Sequence, residues 1–427
     1  MKVTMILRKI KRTIIGVFLT VKRRLHIKKL NKKRKQLLEQ LKEKDHINVV
    51  FFALSDAAWK CDSLYRKMQE DSRFKPTILI CPTVNYGYEN MINRMADCSL
   101  FYEKKGYPYL LAYDKEKKEY LDVRKELKPD IIFYLNPYKG LIHDNYSLDK
   151  FDDVLTCYIP YFYESGNGEM FFNLDFHNYV WRYYVESDSL KKEQEIKLKR
   201  KRDNVVPVGF CPFDEFKEVK ERLSRNNGPI NIIWAPHHLI DQNFAYVRDG
   251  FFKYHNLFFE LADKYNGKVH FIFRPHPLLK NKLEQLESWG PEKTMEYYQK
   301  WNQYPNCSIE EHTNYIELFI NSDALIHDCG SFMAEYLYVD KPALFTDKEV
   351  FTTELYWQSA IDVMECYYRA DSKDEVKEFI DEVVINHKDP KKILREDFIK
   401  QQIHPENDVA QNIINDILDS IANQKLY

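Results

Sequence analysis

Residues 322–336 read SDALIHDCGSFMAEY. A short apolar run, Ala324–Ile326, ends on the polar pair His327-Asp328, and Gly330-Ser331 then opens a helical pattern over 331–338. Strand, polar tip, Gly-Ser and helix are the order of one parallel α/β unit, and such units take ligands outside the carboxyl ends of their strands. Ser331 can cap the helix, and Gly330 lets a ligand approach the backbone closely. Open N–H groups at a helix start suit a phosphate. Glu335 lies four residues after Ser331, one turn down on the same side, where a carboxylate could accept hydrogen bonds from ribose hydroxyls.

Working outward, two earlier apolar runs of the same half also break into polar residues. Asn231–Trp234 leads to Pro236-His237-His238, and Val269–Phe273 leads to Arg274-Pro275-His276-Pro277. Proline stops a strand and stiffens the backbone beyond it. Three such tips in one half predict a single pocket built from His237, His238, Arg274, His276, Asp328, Gly330, Ser331 and Glu335.

The chain from residue 47 to 208 repeats the rhythm. Ile47–Leu54, Thr77–Cys81, Tyr107–Tyr113, Asp130–Leu135, Val154–Ile159, Val180–Val185 and Val205–Val208 read as strands, several apolar on both faces. Cys61–Glu70, Asn90–Lys105 and the charged stretch Glu116–Leu127 read as helices between them. Strands without a polar face that alternate with helices predict a parallel sheet covered on both sides. A polar, turn-prone seam at Glu221–Gly228 separates the halves. Helices at Lys373–Ile385, Lys391–Gln401 and Val409–Asn423 close the chain. The expected architecture is α/β, two doubly wound lobes with a cleft between them. In the first half, Ser55-Asp56, Asn136-Pro137-Tyr138 and Tyr158–Glu164 end strands, and Glu164 is the candidate general base.

The first 44 residues differ in kind. Of 64 Lys/Arg and 65 Asp/Glu in the 427-residue chain, 16 and 2 fall there, so this arm carries +14 and the remainder −15. Its longest uncharged stretch, Thr13–Val21, is nine residues, far short of the roughly 20 a bilayer span needs. Lys22-Arg23-Arg24 follows it where a signal peptide would place small residues. A basic amphipathic helix on an anionic membrane surface fits. Nucleic acid is disfavoured, because the arm lacks interleaved aromatics. The expected division is an arm over 1–45, an acceptor-side lobe over 46–225 and a nucleotide-donor lobe with a helical tail over 226–427.

Composition narrows the class further. Hydrophobic residues at 44% and charged residues at 30% describe a globular protein, not a disordered or multi-span one. Eight cysteines without a C-x-x-C pair predict buried thiols in a reducing compartment and no zinc site. G-x-x-x-x-G-K-[ST], a strand-following G-x-G-x-x-G and G-x-S-x-G are all absent, which argues against a P-loop nucleotidase, NAD chemistry and an α/β-hydrolase.

At 322–336, Arg274–Pro277 and Trp234–His238 the chain resembles the CDP-glycerol glycerophosphotransferase family, the teichoic-acid and capsule polymerases of GT-B fold. Order and spacing agree over about residues 46–350. The resemblance implies a GT-B enzyme that transfers glycerol or ribitol phosphate from a CDP-linked donor to a lipid-linked or polymeric wall or capsule acceptor. The work would be done peripherally at the cytoplasmic membrane face, without metal or cofactor. It implies that His276 contacts the donor pyrophosphate and that Ser331 and nearby amides hold phosphate. The family's first-lobe Trp-His-Gly-Thr stretch corresponds to Cys157–Glu164, which has no His. Glu164 or a tyrosine substitutes there, or donor and acceptor differ. The alternatives are a GT-B glycosyltransferase or epimerase using a UDP-sugar, and a catalytically silent scaffold.

Overall fold

The computed structural model describes residues 2–223, 228–240, 250–311, 315–328, 330, 332–346, 354–404 and 406–426, with side chains from residue 21 onward. The chain forms two compact units. The first comprises 1–162, 169–211 and 408–427, and the second 163–168 and 212–407.

Among the described residues the first unit holds a seven-stranded parallel sheet. Its strands are β1 (Ile47–Ala53), β2 (Phe74–Ile80), β3 (Tyr109–Leu111), β6 (Ile131–Tyr134), β7 (Leu155–Tyr158), β8 (Arg182–Val185) and β9 (Val205–Pro207), ordered β3-β2-β1-β6-β7-β8-β9. Every β1 residue but Asn48 is buried, as a central strand covered by helices requires. The strand order reverses at β1, which makes the carboxyl edge beside it the ligand edge of such a sheet.

Between β3 and β6 the structure departs from the expected helix over 116–127. A two-stranded hairpin, β4 (Tyr113–Asp114) with β5 (Glu119–Tyr120), stands there instead, followed by a one-turn helix Val123–Glu126. Asp114 explains it. Its carboxylate accepts the backbone N–H groups of Glu116 and Lys117, and this local turn outcompetes helical propensity.

The second unit repeats the plan. β10 (Ile230–Ala235), β11 (Val269–Phe273), β12 (Cys307–Ile309), β13 (Ala324–His327), β14 (Ala343–Phe345) and β15 (Tyr368–Arg369) form a parallel sheet ordered β12-β11-β10-β13-β14-β15. Its core is aromatic. Trp234 stacks on Phe258 at 4.3 Å and Phe273 at 5.1 Å between centroids, and Phe273 stacks on Trp301 at 4.9 Å.

The unit boundaries differ from those read from sequence. The change comes at Cys211/Pro212, one helix before the polar seam, of which 224–227 lie outside the described residues. Phe213 and Phe216 on helix Pro212–Arg222 pack against Tyr338 and Phe319 of the second unit. The tail returns to the first unit. Helix Val409–Asn423 buries Val409, Ala410, Ile413, Ile414, Ile417 and Ile421 in the first core, a stripe at helical spacing. The arm is one helix, Lys2–Lys42, and its second half is part of that core through Leu38 and Leu41. Among the described residues no helix is long and apolar enough to cross a membrane. The seven described cysteines are buried free thiols, and Cys329 lies outside the described residues.

Candidate functional site

Register assembles the site in the second unit. Trp234 pairs with Phe273 across β10 and β11, and Ala235 pairs with His327 across β10 and β13. The three strands therefore end side by side, and residues 236, 274 and 328 begin three neighbouring loops. β10 is also where this sheet's strand order reverses, the usual ligand position in an open α/β sheet.

Hydrogen bonds tie the loops together. The Arg274 N–H donates to the Trp234 carbonyl at 2.8 Å, and the His276 N–H donates to the Pro236 carbonyl at 3.2 Å. The His237 N–H donates to Asp328 Oδ1 at 2.6 Å. Asp328 is buried, so it braces one loop against another instead of facing solvent. A Cβ at Gly250 would lie 2.5 Å from Asp328 Oδ2, so only glycine fits there without displacing that carboxylate.

His237, His238 and His276 form one cluster. Ring centroids lie 4.3 Å (237–238), 4.1 Å (238–276) and 5.1 Å (237–276) apart. One nitrogen of each lies within 4.8 Å of the others, a grouping that could hold a metal ion. Two hydrogen bonds point elsewhere. His237 Nδ1 accepts from the Leu239 N–H at 3.2 Å, and His276 Nδ1 accepts from the Leu278 N–H at 3.1 Å. In a neutral imidazole an occupied Nδ1 lone pair puts the proton on Nε2. Both rings thus present an N–H donor, suited to an anion and unsuited to a cation. Burial pushes the His276 pKa down to about 3, with His238 and Lys282 adding to the shift. The ring is neutral near pH 7 and donates without carrying charge.

Arg274 is buried beside the cluster, with its guanidinium carbon 5.7 Å from the Tyr315 ring centre. Tyr315 in turn hydrogen-bonds Glu335, and burial followed by that carboxylate holds its phenol far above the usual range. Glu335 is buried under Tyr315, not presented at the surface of its turn. Gly330 is half-buried, and Ser331 lies outside the described residues.

Glu164, read as a first-lobe residue, belongs by its packing to the second unit and is only 1% exposed. Its segment is strapped there. The Asn167 N–H donates to the Leu355 carbonyl at 2.9 Å, and the Trp357 N–H donates to the Ser165 carbonyl at 3.0 Å. Asn167 Nδ2 donates to the Tyr356 carbonyl at 2.9 Å. Ser165 Oγ is 3.7 Å from where a Gly330 Cβ would stand. Sequence reasoning did not single out Gly250 or Tyr315. Of the two, Gly250 alone left a signal, as one of 12 glycines in 427 residues placed at a helix start.

Residues 211–414 match the family model described as CDP-Glycerol:Poly(glycerophosphate) glycerophosphotransferase. That span contains the three strand-end clusters of the second sheet, at 236–238, 274–277 and 327–335, and the match bears out the resemblance carried by those motifs. No curated protein matches the chain in sequence. Among solved structures, a variant of the wall teichoic acid polymerase TagF shares 14% identity at TM-score 0.58, over 98% of this chain and 98% of that one. The UDP-GlcNAc 2-epimerase from Neisseria meningitidis bound to UDP-GlcNAc shares 14% at 0.55, over 87% and 98%. The S. aureus MnaA–UDP co-structure shares 12% at 0.57, over 89% and 97%. At such identities these likenesses establish the fold, the GT-B pair of Rossmann-like lobes.

Proposed function

We propose that this CDP-glycerol glycerophosphotransferase-like transferase moves glycerol or ribitol phosphate from a CDP-linked donor to a hydroxyl of a wall- or capsule-type acceptor, at the cytoplasmic face of the membrane. An acceptor oxygen attacks the β-phosphorus of the donor. The new P–O bond makes a phosphodiester, and the bond to the α-phosphate oxygen breaks, so that CMP leaves with the electron pair. His237 and His276 donate Nε2–H groups to the pyrophosphate, and Arg274 adds positive charge. Preorganised donors aimed at developing negative charge are the usual largest contribution to such a step. Glu164 takes the acceptor proton, Ser331 holds phosphate, and Glu335 sets the nucleoside side of the pocket through Tyr315. Residues 1–20 bring the enzyme to anionic lipid.

The observation that supports this reading best is the pair of histidines with occupied Nδ1 atoms beside a buried arginine, inside the span that matches the family. A donor panel tests it. Purified protein with CDP-glycerol, CDP-ribitol and UDP-sugars, in the presence of membrane extract as acceptor source, is expected to release CMP. Release of UDP from a UDP-sugar with no CMP would reassign the enzyme to sugar chemistry. Absence of both products, with no thermal shift from any nucleotide, would leave a silent scaffold.

A further inference from the structure

The chain has 63 Phe, Trp and Tyr residues, and nearly all of those among the described side chains are buried or half-buried. Among the described residues, two aromatic side chains are left exposed, Tyr86 at 61% and Tyr88 at 56%. They are near neighbours, on the loop that leaves the carboxyl end of β2, beside the strand at which the first sheet reverses. Exposure of large aromatic rings in one place on the ligand edge of a sheet calls for a ligand.

The loop is built, not loose. Gly87 sits between the two tyrosines at φ +84°, a conformation that favours glycine and turns both side chains outward from the start of helix Tyr88–Lys105. The same loop is pinned to the one after β6. The Val84 N–H donates to the Leu141 carbonyl at 2.9 Å, and the His143 N–H donates to the Pro82 carbonyl at 3.2 Å. Behind the exposed pair, more rings make a floor. Tyr88 hydrogen-bonds Tyr113 and meets it edge-on at 6.2 Å. Tyr113 packs on Tyr120 at 4.8 Å, and Tyr120 stacks on His143 at 3.9 Å with 16° between planes. One cation stands over the platform, with the Arg94 guanidinium carbon 5.2 Å from the Tyr86 ring centre.

We propose that this platform is a saccharide-binding subsite of the first unit, which takes a pyranose ring carrying or adjoining a phosphate. A pyranose offers a flat, apolar C–H face that covers a tyrosine ring and a rim of hydroxyls for tyrosine O–H groups. A linear polyol phosphate offers no such face. A phosphate on the sugar meets Arg94. The acceptor of the reaction, insofar as the transferase reading holds, is therefore a glycan end and not a bare polyol-phosphate chain.

Saturation-transfer NMR on the full chain tests this with methyl glucoside, methyl N-acetylglucosaminide, maltose and glucose 6-phosphate, against glycerol 3-phosphate and a short poly(glycerol phosphate). Ring C–H protons of the pyranosides are expected to receive saturation, glycerol compounds little. Tyr86→Ala with Tyr88→Ala should lower the pyranoside signal at least five-fold. Arg94→Gln should weaken glucose 6-phosphate and leave glucoside unchanged. The tyrosines are exposed, so the double variant should keep the wild-type circular dichroism and thermal midpoint. Equal saturation in the double variant, or better competition by the glycerol polymer than by the sugars, overturns the proposal. CMP release is scored separately, so a failed donor reaction would sink the transferase reading without touching saccharide binding.

Discussion

Gly250 is the residue at which one methyl group probes the whole proposed donor site. Gly250→Ala must push the Asp328 carboxylate away and so loosen the loop that presents His237. Overpacking of this kind costs about 1–3 kcal/mol, and the expected signature is a several-fold rise in donor KM with a small change in kcat, read by steady-state CMP release. His276→Ala should act on the chemical step, lowering kcat/KM by about 10²-fold or more, the scale of one preorganised donor. His276→Gln, which keeps an N–H, should recover part of the loss. If His276→Ala stays within a few-fold of wild type, His276 has no place at the pyrophosphate. The histidines and Arg274 were legible in the sequence because each follows a strand that a proline ends, and the strand register carries such residues to one edge. Asp328 and Glu335 were legible as polar residues at the end of a strand but not as buried braces. Their neighbours, Gly250 and Tyr315, are far away in sequence, and nothing local marks the contact.

Two elements show where local reading ends. The segment 163–168 follows a first-unit strand yet packs with the second unit, held by Asn167 and the pairing of Gly166 with Tyr356. Contacts nearly 190 residues apart in sequence hold it there, and no periodicity reveals them. Asn167→Ala removes the buried amide that donates to the Tyr356 carbonyl, a loss of about 1–3 kcal/mol. Hydrogen exchange should rise in 163–168 and 354–357 while the first sheet stays protected, and unchanged exchange there would mean the strap is held by something else. The arm helix Lys2–Lys42 divides along its length, with its second half in the first core. Leu38 is fully buried in the first core, so Leu38→Ala should cost about 2–5 kcal/mol, seen as a lower urea midpoint. Residues 1–20 carry the membrane expectation. Deleting them should release the protein from anionic vesicles and leave that midpoint unchanged, whereas deleting 1–44 would confound the two by opening the core. Equal sedimentation of the 1–20 deletion would reject the membrane role. The helix itself was legible from its charge and apolar content. Its inward half was not, because Leu38 and Leu41 share their core with the tail helix Val409–Asn423, which returns to the first unit from the far end of the chain.

Across the whole molecule, acid is the condition that the two units face together. His177 in the first unit and His276 in the second are each held near pKa 3 by burial, with Arg202 adding to the shift at His177 and His238 at His276. Unfolded histidine titrates near 6.5. Between pH 6.5 and 3 the unfolded chain therefore binds protons that the folded chain does not, and stability falls as pH falls through that window. Above pH 6.5 both states are neutral at these positions and the stability is fully present. For His177, which is fully buried, the slope approaches 1.4 kcal/mol per pH unit, or about 2 kcal/mol lost by pH 5. Native carboxylates with lowered pKa values, such as Asp62 and Asp152, add losses of the same sign, but only as pH falls further toward their own range. The interval from pH 6.5 to 5 thus isolates the histidines. His177→Gln keeps an acceptor for the Leu174 N–H, which His177 Nδ1 takes at 3.1 Å, and abolishes the titration. Urea unfolding followed by hydrogen exchange, resolved by unit, should show the first unit's acid slope flattened in that variant and the second unit's retained. The second unit's slope between pH 6.5 and 5 should stay the same with nucleotide present if pyrophosphate is bound by neutral His276, because the folded ring is already unprotonated across that window. A slope that shrinks or reverses on adding CDP-glycerol would mean that the ring takes up a proton with the donor, making it an imidazolium partner of the phosphates. An acid slope in the first unit that persists in His177→Gln would place its origin in the carboxylates and remove His177 from the account.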